Sequence, residues 1–249
     1  MILIIFSFLN QIILIKLSFI LFLFAFLSLL LVPFLGIEVK GSKRWLDFMF
    51  LPRFQPVEIV KPFFIVTLSL LLTIQNRRLY FKYFLSTLFI LPILMLLVYQ
   101  PDIGQTLLIA MVWLALIFVS GINIFVFFIF FLFVSITVSY LVLFVPKFEY
   151  IKIRLFAFLD SSSGNNYQAE KASDAIINGG FFGKGIGEGT LNSRVPEAHT
   201  DYIVSVISEE FGAIIVIGIL FLYLIFSYRV IRKINFLNED LSKLILSGS

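Results

Sequence analysis

The sequence predicts an all-α, polytopic bundle of transmembrane helices, about six to seven spans with one large extracytoplasmic loop. Three observations predict it. The 249 residues are 60% hydrophobic and only 14% charged, with a mean hydropathy of +1.05. A soluble domain of this length carries far more charge. The apolar residues come in unbroken blocks, so the bilayer is the solvent. Lys and Arg collect in short connections between those blocks, and in a membrane protein that placement fixes orientation.

A span needs roughly 20 apolar residues. Ile2–Leu9 is too short and reads as the tail of a span. Ile12–Gly36 is long enough, with Lys16 near its start. Pro56–Thr73 follows and opens with Glu58 and Lys61. Tyr83–Tyr99 and Gly104–Gly121 form a pair joined by Gln100-Pro101-Asp102-Ile103. Ile122–Val145 carries no charge. Residues 146–200 make the large polar loop, Asp201–Tyr228 the last span, and residues 229–249 a charged cytoplasmic tail or loop. The whole of residues 1–249 reads as a single membrane domain, with no internal repeat. The apolar start lacks a basic leader and a small-residue cleavage site, so no cleavable signal peptide is expected.

Arg77, Arg78 and Lys82 mark one loop as cytoplasmic; Arg229, Arg232 and Lys233 mark the tail, and Lys16 agrees. The segment Glu38–Gln55, the Gln100–Ile103 turn and the long loop then face outward. Lys40, Lys43, Arg44 and Arg53 run against this orientation, and a binding role would explain some of them. Three polar clusters are thereby expected at one outer mouth: Lys43-Arg44-Trp45, Gln100-Pro101-Asp102, and Pro196 to Asp201. The basic residues are too scattered for a nucleic-acid surface. There is no Cys, which removes disulfides, thiolate nucleophiles and thiolate metal sites.

The stretch Asn178–Glu210 holds the densest chemistry. Thr200 suits an N-cap, and Asp201 falls in the first turn, where the helix dipole favours a carboxylate. At helical spacing Asp201, Ser205, Glu209 and Gly212 share a stripe. Glu209 and Glu210 sit deeper along the same predicted helix. A charge at membrane depth costs about 2.5–3.5 kcal/mol, so they should face the bundle interior, as an internal ion pair or in a polar cavity. Glu58 and Lys61 are spaced to pair on one helix, or to line a wet cavity. Asp102 either caps the helix after it or joins the site. His199 is the sole histidine; with no second His and no Cys it makes a poor metal site, and it is left as a loop-ordering or substrate-contacting residue beside Glu197. The glycine run from Gly179 to Gly189 is not a Walker loop, because Gly185 follows Lys184. Its glycines imply positive φ or close backbone approach, and its N–H groups with Lys184 offer a pyrophosphate cradle. Arg154 lies in the mixed segment Tyr150–Leu159, which reads as an interfacial helix, and a guanidinium there suits a lipid phosphate.

These residues resemble one known family, the SEDS proteins FtsW and RodA. The matching stretches are GIEVKGSKRWLDF at 36–48, RFQPVEIVKP at 53–62, YQPDIGQTLLI at 99–109, RLFAFLD at 154–160, YQAEKASDAIINGGFFGKGIGEG at 167–189 and PEAHTDYIVSVISEEFG at 196–212. They run in family order across nearly the whole chain, and Ala198 before His199 is closer to the FtsW branch. The resemblance implies a peptidoglycan glycosyltransferase in the bacterial inner membrane, at the division septum, that polymerises lipid II and releases undecaprenyl pyrophosphate. It implies Asp201 as the catalytic acid group. By the same analogy Arg44, Lys61 and Arg154 are candidates for binding the anionic lipid carrier; Lys184, Glu197 and His199 stand beside them as substrate-binding candidates, and Glu58, Asp102, Glu209 and Glu210 as structural or cavity residues. It allows a divalent cation, Mg or Mn, at the pyrophosphate. Partners implied are lipid II, undecaprenyl-linked glycan, a class B penicillin-binding transpeptidase and other divisome proteins. A lipid II flippase and a non-catalytic divisome scaffold are the rival functions. Some positions depart from the family pattern: Ser193 or Arg194 replaces an acidic residue, Ser161 replaces a Pro after Asp160, and the resemblance implies further spans on both sides of those found.

Overall fold

The computed structural model describes residues 10–39, 42–48, 51–74, 79–145, 149, 167–190, 202–237 and 239–249. The chain divides into two compact units, residues 1–134 with 234–249, and residues 135–233.

The first unit opens with helix α1 (Gln11–Leu35), followed by strands β1 (Ile37–Val39), β2 (Ser42–Phe48) and β3 (Leu51–Phe54). The strands form an antiparallel sheet in the order β1-β2-β3, with Ile37 opposite Trp45 and Leu46 opposite Phe54. This small sheet is an addition to the all-helical expectation. Helix α2 (Pro56–Thr73) begins on a proline, whose missing N–H costs nothing in the first turn. Helices α3 (Leu79–Tyr99) and α4 (Ile103–Val119) follow, and α5 (Ile124–Phe144) starts in this unit.

The core of this unit is built from helical stripes at three- and four-residue spacing. Phe22, Ala25 and Leu29 of α1 meet Val57, Val60, Phe64 and Leu68 of α2, Ile90, Ile93 and Leu97 of α3, and Ile109, Trp113 and Leu116 of α4. Between helices surrounded by lipid there is no hydrophobic driving force, so fit and hydrogen bonds hold them. Phe64 stacks on Phe89 with ring centroids 5.8 Å apart. The indole N–H of Trp113 donates to buried Ser86 across 3.3 Å.

Helix α9 (Asp240–Gly248) also belongs to this unit. The sequence suggested a charged tail over residues 229–249. Instead, residues to Phe236 continue the preceding helix, and α9 packs on α2 and α4. Leu244 and Gly248, one turn apart, form its inward stripe: Leu244 is buried, and Gly248 lies against Ile65 and Leu116.

The second unit contains α6 (Tyr167–Gly179), α7 (Ile203–Phe211) and most of α8 (Ala213–Phe236). Ala172 and Ala175 of α6 pack against Tyr202 and Val206. None of the 24 residues of α8 is buried. At about 1.5 Å per residue it is about 36 Å long, enough to cross a hydrocarbon core with its apolar surface toward lipid.

Among the described residues five helices are long and apolar enough to cross a membrane, namely α1, α2, α3, α5 and α8, and α4 is a shorter apolar helix. The largest departure from expectation is in the last span. Asp201–Tyr228 was read as one helix; α7 and α8 are separate, broken at Gly212, whose φ is +84°. The polar Ser208-Glu209-Glu210 stand just before the break, and apolar residues resume directly after it, so the sequence reading carries one helix through both. The tail of a span expected at Ile2–Leu9 lies outside the described residues.

Candidate functional site

In the first unit, polar side chains converge where the sheet meets the ends of α2, α3 and α4. Arg44, on β2, wraps its guanidinium around the α3–α4 turn. Its Nε donates to the Gln100 carbonyl at 3.4 Å, Nη2 donates to the Pro101 carbonyl, and Nη1 lies 3.7 Å from Asp102 Oδ1. Asp102 is 5% exposed and serves three partners. Besides facing Arg44, it caps α4 by accepting from the Gln105 N–H, and it accepts from Gln55 Nε2 at 3.1 Å. Asp102 thus caps the helix it precedes, one of the sequence-based options, and its carboxylate also contacts Arg44 and Gln55. Gln105 Nε2 donates to Glu58 Oε1 at 2.9 Å, and Glu58 Oε2 pairs with Lys61 at 2.6 Å. A continuous chain of contacts thus joins Arg44 to Lys61.

This chain is open on one side. The Arg44 side chain keeps 30% of its surface exposed and Lys61 keeps 22%. A guanidinium has five N–H donors, so Arg44 retains donors for an anion after binding the turn. Arg53 pairs with Asp47 at 2.8 Å. Two of the four cations that ran against the outward orientation are therefore held by carboxylates of this region.

Gln55 and Gln105 were not singled out in the sequence, whereas Gln100 belongs to the expected turn cluster. Gln100 is buried and donates to the Leu29 carbonyl of α1. A glutamine immediately before the helix-starting Pro56 was the one available signal for Gln55.

The second unit holds a different cluster. Glu209, on α7, is fully buried and accepts from Asn178 Nδ2 at 2.9 Å and from the Thr190 N–H at 3.0 Å. The glycine segment packs backbone to backbone on the α7–α8 junction. Lys184 and Gly185 donate their N–H groups to the carbonyls of Glu209 and Glu210, at 2.9 and 3.0 Å. The carbonyls of Gly180 and Phe181 accept from Ala213 and Ile214, the first residues of α8. One loop thus satisfies four of the eight groups that such a break normally leaves without intrahelical partners, two at the end of α7 and two at the start of α8. A Cβ on Gly179 would collide with the Ser208 carbonyl, and one on Gly212 with the Phe181 carbonyl. Close backbone approach, one of the two meanings assigned to the glycine run, is what these residues provide. The pyrophosphate cradle is corrected for Lys184 and Gly185: their N–H groups are already engaged. The Lys184 side chain itself is exposed.

Glu209 and Glu210 also need correction in depth. They precede the break at Gly212, so they lie in the short helix α7 and not within the membrane-length helix α8. The helix start moves too, from Asp201 with Thr200 as cap to Ile203 with Tyr202 at the cap position. Arg154, Glu197, His199, Thr200 and Asp201 lie outside the described residues. Of the three clusters expected at one mouth, the structure joins those of Arg44 and Asp102. Among the described residues no three carboxylate, imidazole or thiolate groups converge as metal ligands. A cavity of about 700 Å³ lies at the other end of the first unit, lined by Thr73, Lys82, Ser120 and Lys243, away from the Arg44 network.

Several apolar helices of membrane length, tied at one end by a buried polar network, define a multi-pass membrane protein. The sequence matches the cell cycle protein family of FtsW, RodA and SpoVE over residues 1–249, and the chain belongs to that family. It is similar to the probable peptidoglycan glycosyltransferase FtsW of Caulobacter vibrioides, 30% identical over 246 residues, covering 93% of this chain and 58% of the relative. The protein of the same name from Trichlorobacter lovleyi is 37% identical over 219 residues, covering 83% of this chain and 55% of that one. The chain thus spans little more than half the length of these curated relatives. Among solved structures it resembles a chain of a peptidoglycan synthase complex described for its coordination of polymerization and crosslinking, with a TM-score of 0.73 and 26% identity over 98% of this chain and 69% of that chain. The rod shape determining protein RodA of Thermus thermophilus superposes with a TM-score of 0.60 at 25% identity, covering 98% of this chain and 65% of RodA.

Proposed function

We propose that this protein is a peptidoglycan glycosyltransferase of the FtsW type, acting on lipid II at the outer face of the bacterial inner membrane during septal wall synthesis. The observation that carries this reading is the family match across the whole chain, together with its similarity to relatives named as probable peptidoglycan glycosyltransferases. The ordered motifs, from Gly36 to Gly212, support it independently.

In this reading Asp201 is the general base. Its carboxylate takes the proton from the 4-hydroxyl of the acceptor sugar as that oxygen attacks the anomeric carbon of the growing chain. The new glycosidic C–O bond forms as the bond to the pyrophosphate breaks, and undecaprenyl pyrophosphate leaves with the bonding electrons. Positioned proton transfer of this kind contributes about 100- to 10,000-fold in rate. Arg44, with donors to spare, and Lys61 and Arg154 bind the anionic carrier. Lys184, exposed on the glycine loop, and Glu197 and His199 contact saccharide or lipid. A divalent cation, Mg or Mn, would share the pyrophosphate charge; no ligand set for it is found among the described residues. A class B penicillin-binding transpeptidase and other divisome proteins are the proposed partners, a reading supported by the resemblance to a chain of a synthase complex.

The test is polymerisation of labelled lipid II by the purified full-length protein in vesicles. Glycan strands longer than the disaccharide unit are the expected product. Lipid II crossing the vesicle membrane with no polymer formed would identify a flippase instead, and neither activity would leave a scaffold.

A further inference from the structure

The geometry points to a binding site for a phosphoethanolamine group, the headgroup of a zwitterionic phospholipid, in the cavity at the end of the first unit opposite the Arg44 network. This site does not depend on the catalytic reading of Asp201.

The cavity lies wholly within the first unit. Its walls come from the last turn of α2, the first turns of α3, the end of α4 and the start of α9. Three of these are ends of apolar helices, so the cavity opens at a bilayer surface. Lys82, with Arg77 and Arg78 of the same connection, marks that surface as the cytoplasmic one. Its volume of about 700 Å³ falls within the range of about 300–1,000 Å³ usual for small-ligand sites.

The walls change character with depth. Leu72, Tyr83 and Leu244 are buried. Lys82 and Lys243 are half-buried, and Glu239 and Asp240 are exposed at the rim. A phospholipid headgroup has the same order: an apolar glycerol stem, then a phosphate, then an ammonium in water. Among the described residues no ion pair joins either lysine to either carboxylate. Two charges of each sign share one cavity, which suits a ligand carrying both signs better than a simple anion. The lysines would give charge-assisted bonds to the phosphate, and the carboxylates would receive the ammonium.

Tyr83 is a second, independent sign of a ligand. Its ring belongs to the apolar core and the residue is 5% exposed, yet its hydroxyl has no hydrogen-bond partner among the described residues. Buried polar groups are normally satisfied, and a phosphate oxygen in the cavity would accept from this one. Thr73 and Ser120 donate their hydroxyl protons to the carbonyls of Ser69 and Ile117 in their own helices. Their oxygens can still accept, which suits the N–H groups of a primary ammonium. Helix α9 completes the site. It brings Lys243 and Asp240, with Glu239 at its cap, and is seated by Leu244 and by Gly248 against Ile65 and Leu116.

The test is the affinity of delipidated full-length protein for dihexanoyl phosphatidylethanolamine, phosphatidylcholine and phosphatidylglycerol, and for soluble O-phosphoethanolamine, read by native mass spectrometry. Phosphatidylethanolamine is expected to bind tightest. Choline has no N–H to donate, glycerol carries no positive charge, and the soluble headgroup lacks the apolar stem. Lys82→Gln combined with Lys243→Gln should weaken phosphatidylethanolamine about tenfold or more, because hydrogen bonds to charged groups are the stronger ones. Tyr83→Phe keeps the buried ring and should weaken it about three- to tenfold. Glu239→Gln combined with Asp240→Asn should weaken phosphatidylethanolamine and leave phosphatidylglycerol no weaker. Equal affinity of the wild-type protein for all three lipids would overturn the headgroup assignment. Unchanged phosphatidylethanolamine affinity in both the lysine and the carboxylate double variants would overturn the site. Soluble O-phosphoethanolamine bound as tightly as the lipid would overturn the lipid as its source.

Discussion

The two units secure polar groups in opposite ways. In the first, side chains do the joining: Arg44, Asp102, Gln55, Gln105, Glu58 and Lys61 link strand, turn and helix ends, and the terminal cations remain partly open. In the second, the backbone does it. Carbonyls and N–H groups of Gly180, Phe181, Lys184 and Gly185 meet the ends of α7 and α8, with Glu209 sealed inside. A side-chain network with exposed cations can exchange partners when an anion arrives. A backbone junction with no room for a Cβ has no second arrangement available. The first is suited to binding and the second to holding geometry.

Substitutions should separate these roles. The largest effect belongs to the backbone junction. Gly212→Val adds a branched side chain at a φ of +84° and against the Phe181 carbonyl. Strain and overpacking together should cost about 2–5 kcal/mol, seen as loss of monodisperse protein or a sharp fall in thermal midpoint in detergent. A stable Gly212→Val protein would mean that the junction is pliable. Next comes Asp102→Ala, which removes the α4 cap and the partners of Arg44 and Gln55. The cap alone is worth about 1 kcal/mol, so a fall of several degrees in midpoint is expected, with the fold retained. Arg44→Lys keeps the charge and loses the planar fork. About a tenfold weaker affinity for undecaprenyl pyrophosphate should follow, with little change in midpoint; a large drop in midpoint instead would make Arg44 purely structural. Smallest is Glu58→Gln. Its pair with Lys61 is half exposed, and such pairs contribute about 0–1 kcal/mol, so the midpoint should hardly move.

The same contrast decides what could be read from the sequence. Interactions within one helical turn were legible. Glu58 and Lys61 pair as their spacing suggests, Asp102 caps the helix it precedes, and Pro56–Thr73 keeps the bounds its apolar run defines. Partners far apart in sequence were not. Asn178 and Glu209 are separated by 31 positions, and nothing in composition or periodicity couples them. The break at Gly212 was hidden because Glu209 and Glu210, which mark the end of the short helix, read equally well as charges buried within one longer helix. The sheet of residues 37–54 was hidden for another reason: its outer strands are short, its register is bulged, and the seven-residue central strand, Ser42–Phe48, does not alternate apolar with polar residues. Glycine crowding was visible as a pattern, and its cause, the close approach to α7, was not.

The most direct measurement is the rate of glycan polymer formation from labelled lipid II by full-length protein carrying Asp201→Asn. The substitution preserves shape and removes the basic carboxylate. A fall of about 100-fold or more is expected if this group accepts the sugar proton, with lipid II binding retained. Polymer formed at the wild-type rate would contradict the catalytic assignment.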